Sequence, residues 1–182
     1  MTVTTASREA LPTGTWALDP IHSTIGFEVS YLVGTFRGQF RDVQATLVAD
    51  GDGEHLTGSA KVASVDVKDE NLNAHLQSPD FFDAERYPEL TFESTDISRS
   101  GDDVTITGEL TIKGVTQPVV LTGTITDPVE HPAGGRRIGL KLETTVDRTA
   151  FGVNWNMPLP DGNGALANEV KLVAELFFAE EA

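Results

Sequence analysis

The sequence predicts an all-β fold, eight antiparallel strands closed into a barrel, and three observations carry that reading. Apolar and polar residues alternate with period two in segment after segment, the spacing of a half-buried strand. Glycine, aspartate, asparagine and proline separate those segments, as short connections between neighbouring strands require. Eight strands with one apolar face cannot remain an open sheet without exposed edges, so they close into a barrel or fold into a sandwich, and the barrel is favoured.

In chain order, residues 1–13, "MTVTTASREALPT", contain no basic stretch followed by an apolar one and read as a disordered leader. Residues 14–182 read as a single domain, beginning with a short lead-in strand near Thr15 to Leu18. In "STIGFEVSY", Ile25, Phe27, Val29 and Tyr31 share one face, and Thr24, Gly26, Glu28 and Ser30 share the other. Strands are also expected over about 42–49, 56–66, 89–98, 103–114, 117–127, 136–147 and 168–179. The cleanest is "DVTITGELTIKG", where Val104, Ile106, Gly108, Leu110 and Ile112 alternate with Thr105, Thr107, Glu109 and Thr111. "DGDGEH", "SRSGDD" and "KGVTQP" are turn-rich and short enough to join neighbours as hairpins.

Three stretches depart from that pattern. "DENLNAHLQS", residues 69–78, has Asp69 as a candidate N-cap, acids in its first turn, and Leu72, His75 and Leu76 at helical spacing, so it predicts a short helix stopped by Pro79. Residues 147–168, "DRTAFGVNWNMPLPDGNGALAN", are too long and too aromatic for a plain hairpin and read as a long loop. "GTFRGQF", residues 34–40, with its two glycines, reads as a loop flanked by Phe36 and Phe40.

A formal charge of −15, from 28 acidic and 13 basic residues, repels a polyphosphate backbone and excludes nucleic acid as a natural partner. The same repulsion opposes docking on anionic membranes. The chain has no apolar run of bilayer length, so stable membrane insertion is not expected and a cytoplasmic protein is. A homodimer is left open. With no cysteine there is neither a disulfide framework nor a thiolate metal site.

Little in the sequence assembles a catalytic centre, and no cofactor is expected. Ser23 directly follows His22, and successive strand residues point to opposite faces, so Asp19, His22 and Ser23 do not read as a triad. His22, His55, His75 and His131 lack the spacing of a zinc site. His55 and His131 read as exposed loop residues. His22 and His75, beside apolar elements, either hydrogen-bond a carbonyl or carboxylate or contact a ligand. Arg37 and Arg41 read as solvated, with an anionic head group as the alternative partner. Phe81 and Phe82, with Phe36, Phe40 and Phe92, either plug a barrel end or line an apolar cavity. Gly58, Gly108 and Gly123 on apolar strand faces either leave room for a ligand or mark bends in the wall.

The series "WALDPIHSTIGFEVSYL", "GTFRGQF", "HLQSPDFFDAERYPELTFEST", "GELTIKGVTQPVVL" and "DRTAFGV", spread over residues 16–153, resembles the YceI-like family of polyisoprenoid-binding proteins. The resemblance implies a lipocalin-like barrel around a long apolar pocket for an isoprenoid or other long-chain amphiphile. It further implies a carrier or storage protein and not an enzyme. His22, Phe27, Phe36, His75, Phe81, Phe82 and Phe92 fall on motif positions. With Ile25, Phe40, Leu76 and Leu110 from neighbouring apolar positions, they are the expected ligand contacts. The chain departs from the family at Leu72 and Asn73, where Arg-Asp is usual, and many relatives carry a secretory signal. With few basic residues, a neutral head such as a quinone or prenol is expected over a diphosphate. Catalysis on a lipophilic substrate by His22 or His75, and an empty structural barrel, are the competing functions.

Overall fold

The computed structural model describes residues 9–181, and in it one sheet closes on itself. Its strand segments are β1 (Gly14–Leu18), β2 (Thr24–Tyr31), β3 (Gly34–Phe40), β4 (Val43–Asp50), β5 (Gly53–Lys61), β6 (Val65–Asp66), β7 (Glu89–Ser100), β8 (Asp103–Ile112), β9 (Val115–Ile125), β10 (Val129–Glu130), β11 (Arg136–Asp147) and β12 (Leu166–Glu180). Helix α1 (Glu70–Gln77) lies between β6 and β7.

Twelve segments make only eight staves, because four staves are interrupted. β1 and β2 follow one another along the same edge of β12. β4 and β3 face β1 and β2 in turn, and β5 and β6 face β4 and β3. β9 and β10 both pair with β11. All pairings are antiparallel, and the long ladder from Arg137↔Ala179 to Asp147↔Glu169 closes the ring between β11 and β12. The expected eight-stranded antiparallel barrel is therefore the fold, with the lead-in strand forming the lower part of the first stave.

One expected loop is a strand. "GTFRGQF" is not a loop but strand β3, paired with β2 from Ile25↔Phe40 to Tyr31↔Gly34. Its glycines suggested a turn, yet Gly38 answers a packing need, since a β-carbon there would run into the Phe27 ring. Phe36 and Phe40 consequently stand on a strand, and so does Phe92 on β7.

The helix forms as predicted. The Asp69 carboxylate accepts the Leu72 N–H at 2.9 Å, and the Ser78 N–H closes the last turn on the His75 carbonyl. The segment after β11 is a loop with a short 3-10 turn, Arg148–Phe151, capped by Asp147. Of the expected leader, residues 1–8 lie outside the described residues. Residues 9–13, placed in that leader by the sequence, are anchored: Glu9 N–H donates to the Arg99 carbonyl, Leu11 is buried, and Arg99 and Arg136 donate to the carbonyls of Ala10 and Thr13.

The interior has two parts. Trp16, Leu47, Ile106, Ile125, Leu140 and Phe178, all 0–2% exposed, fill the lower half. The Trp16 indole N–H donates to the Pro12 carbonyl, and the Arg136 guanidinium lies over the ring at 5.3 Å while forking onto Glu180 at 2.8 and 2.9 Å. A second cluster, including Phe27, Phe40, Leu76, Phe81, Phe151 and Val153, surrounds the upper half. Replacing Trp16 by alanine should cost about 3–5 kcal/mol of unfolding free energy. The measurement is a urea titration, in which the midpoint falls while the slope is kept.

Candidate functional site

Between the packed base and the upper cluster lies a cavity of about 380 Å³. Its floor is the top of the base, where Leu56, Leu142 and Leu176 meet it. The inward positions of β2, β3, β5, β7, β8, β11 and β12 form the walls. The cap is built from α1, the turn that follows it and the loop after β11.

Ten of the eleven expected contacts line this space: Ile25, Phe27, Phe36, Phe40, His75, Leu76, Phe81, Phe82, Phe92 and Leu110. The exception is His22. Its side chain is 65% exposed on the outside of the barrel, in the break between β1 and β2, with Nδ1 2.7 Å from Asp19 Oδ2 and its ring against the exposed Phe177. That hydrogen bond, helped by the backbone N–H groups of Ile21 and His22, holds the Asp19 carboxyl below its usual value. "LDPIHS" thus has a structural job. Asp19 N–H donates to the Phe177 carbonyl, and Phe177 N–H donates to Ser23 Oγ at 2.9 Å, so β12 stays bonded across the break.

Adjacent phenylalanines both reach the interior because the chain after α1 is a turn and not a strand. Phe81 N–H donates to the Ser78 carbonyl and Phe82 N–H to the Leu76 carbonyl, and Asp83 takes a left-handed φ of 53°. Phe82 meets Phe27 and Phe40 at ring distances of 6.5 and 5.7 Å. Phe81 instead joins His75 and Trp155, with centroids 4.9–5.3 Å apart. His75 also brings Nε2 to 3.0 Å from Asp80 Oδ2.

Polar groups hold the cap by its backbone. Lys113 Nζ donates to the carbonyls of Pro79 and Gly152, joining the turn to the loop. Arg148, 6% exposed, lines the cavity, and its guanidinium donates to the carbonyls of Ala167, Val153, Trp155 and Leu166 and to Asn168 Oδ1. Burial pushes this guanidinium below its ordinary pKa, against the opposing pull of Asp147. Sequence reasoning missed Arg148; its only signal was a place inside "DRTAFGV".

The remaining candidates lie elsewhere. Arg37 pairs with Glu28 and Arg41 with Asp66, all on the outer surface. His55 sits on β5, not in a loop, beside Ser94 and Glu93, and His131 Nδ1 accepts the Ala133 N–H. Among the described residues no three His, Asp or Glu side chains converge on a space for a metal ion. Asn73 turns away from the cavity, Oδ1 accepting the Val67 N–H at 2.8 Å, whereas Leu72 stands at the mouth. Of the three glycines only Gly58 borders the cavity. The slot at Gly108 is occupied by the Phe92 ring, and at Gly123 the β11 backbone at Lys141 comes too close for any side chain.

The chain was compared with known proteins. The family profile of the YceI-like domain matches residues 16–178. Protein YceI of Escherichia coli O157:H7 is 30% identical over 156 residues, which is 84% of this chain and 78% of that protein. The crystal structure of Burkholderia cenocepacia BcnA superposes with a TM-score of 0.75 at 25% identity, over 88% of this chain and 98% of that one. A polyisoprenoid binding domain from Saccharophagus degradans superposes with a TM-score of 0.67 at 14% identity, over 91% and 98%. At that identity the likeness is one of fold.

Changing Arg148 to methionine leaves several buried carbonyls without donors and should destabilise the protein by about 2–4 kcal/mol. Hydrogen exchange should locate the damage: amides of residues 152–166 exchange faster, while those of β7, β8 and β9 do not.

Proposed function

The chain belongs to the YceI-like family, and on that premise we propose that it encloses a long-chain isoprenoid or similar lipophilic amphiphile as a carrier or storage protein. The observation that carries this reading is the apolar cavity itself, running from Tyr31 and Leu72 at the mouth to Leu56 and Leu176 at the floor. Its volume falls within the roughly 300–1,000 Å³ of small-molecule sites. A polyisoprenoid binding domain has the same fold, so a barrel of this architecture can house a ligand of that class.

Affinity comes from the tail. Hiding ~400 Å² of apolar surface at ~25 cal/mol per Å² gives about 10 kcal/mol gross. Ordering a flexible chain consumes part of that, and the ~8 kcal/mol that remains after a ~2 kcal/mol cost corresponds to micromolar binding. A neutral head, a quinone or prenol, suits the mouth better than a diphosphate. Arg148 and Lys113 at the cap are engaged by carbonyls, and Arg37 and Arg41 on β3 and just after it by outer carboxylates.

Binding is favoured over turnover by the position of His75. It reaches the cavity at the rim, sandwiched between Phe81 and Trp155 and tied to Asp80, which is how a cap residue is held. An acid or base acting on an enclosed tail would need to face the interior farther down.

Native mass spectrometry of protein purified from its own host should show a noncovalent, extractable lipid. Failure to find one, together with no uptake of added prenols, would sink the reading. Phe82→Ala should weaken prenol binding about tenfold while circular dichroism stays native, since the ring is wall rather than keystone. In His75→Ala the bound lipid should keep the same mass as in wild type; a substrate that accumulates only in the variant would argue for catalysis.

A further inference from the structure

We infer that the cavity measures its ligand: the chain enters tail first, its end stops on Leu56, Leu142 and Leu176, and the open slot at Gly58 sets the last increment of depth. This rests on the lipid-binding reading above and adds a specificity to it.

Three features point this way. First, the barrel is blocked below. Leu47, Ile106, Ile125 and Leu140 are at most 2% exposed, and Trp16 and Phe178 are wholly buried, so a chain cannot thread through the base. Second, the polar side chains bordering the space are at its upper end. Tyr31, His75 and Arg148 stand at the mouth and cap. Thr57, Ser59, Thr91 and Glu143 occupy the outward positions of their strands, Glu143 meeting Lys171 outside. A head group therefore finds hydrogen-bonding partners only at the top, and an unfunctionalised hydrocarbon end suits the bottom.

Third, the lower wall carries small residues at Ala45, Gly58 and Ala174 among its larger ones. Gly58 faces Ala45 on β4 and Phe92 on β7, and Ala174 faces Leu142 across the closing ladder. A β-carbon at position 58 would meet only the Gln44 carbonyl at 3.5 Å and the Ala45 methyl at 3.8 Å, which are ordinary contacts. The backbone thus tolerates a side chain there, and the volume it would take belongs to the ligand.

The consequence is a break in the dependence of affinity on chain length. Each added methylene should tighten binding about fourfold until the tail reaches the floor, after which further carbons remain at the mouth and gain little. Linear 1-alkanols of increasing length, followed by geraniol, farnesol and geranylgeraniol, would be titrated by displacement of a fluorescent fatty probe. Wild type should show the break, and folded Gly58→Leu and Ala174→Leu variants should show it several methylenes earlier. Affinity that climbs without a break in wild type overturns the inference, as does a break that stays in place in whichever variant keeps a native circular dichroism spectrum. If no alcohol of any length binds wild type, the lipid-binding reading fails and this inference with it.

Discussion

An apolar interior that is not filled by its own side chains is costly, and where this barrel places its filling governs the rest of the molecule. At about 24 cal/mol per Å³, an unoccupied cavity of 380 Å³ would cost roughly 9 kcal/mol, comparable to the whole stability of a typical domain. The base offsets this. Trp16, Leu47, Ile106, Leu140 and Phe178 pack without exposure in one half, so that the other half can remain open. On the proposed function, an occupant would add to stability, because it would supply the contacts the upper wall lacks.

The cap has an attachment that the walls lack. Base and walls interlock through side chains and through continuous ladders; the segments over the cavity pack Leu76, Phe81, Phe151 and Val153 into the upper cluster and are also tied by cationic side chains donating to main-chain carbonyls. Arg148 gathers the loop after β11, and Lys113 joins that loop to the turn carrying Phe81 and Phe82. Such bonds fix the course of the backbone without specifying the side chains that line the cavity. Wall chemistry can therefore vary while the cap keeps its path.

Much of this was legible in the sequence, because period-two alternation reports directly which residues face inward. The β8 pattern and the helix signal of Asp69 with Leu72 and Leu76 needed no tertiary information. "GTFRGQF" misled because a glycine opposite an aromatic ring looks the same, in one dimension, as a glycine in a turn; only the pairing of Gly38 with Phe27 separates them. His22 misled for a related reason. Its motif position is real, but it serves the place where β12 passes from β1 to β2, and that hand-over is decided by residues some 155 positions away, as the bond between Ser23 and Phe177 shows, |i−j| being 154. Arg148 was invisible because its burial depends on carbonyls up to 19 residues downstream, which composition and charge pattern do not encode.

The interruptions of the staves lie side by side. Between β3 and β4 the Arg41 N–H reaches the Ser64 carbonyl, and between β5 and β6 the Lys61 N–H reaches the Asp42 carbonyl, while the break at Asp19–Ser23 faces them from the first stave. Neighbouring breaks at one level make a crease across the wall. Below it the staves surround the packed base; above it β2, β3 and β6 pair with one another as one panel, laddered to the rest of the sheet through β12. Seen sideways along the sheet, that panel ends at β6, whose one strand neighbour among the described residues is β3, so the β2–β12 ladder is the seam by which the upper wall hangs from the rest of the barrel.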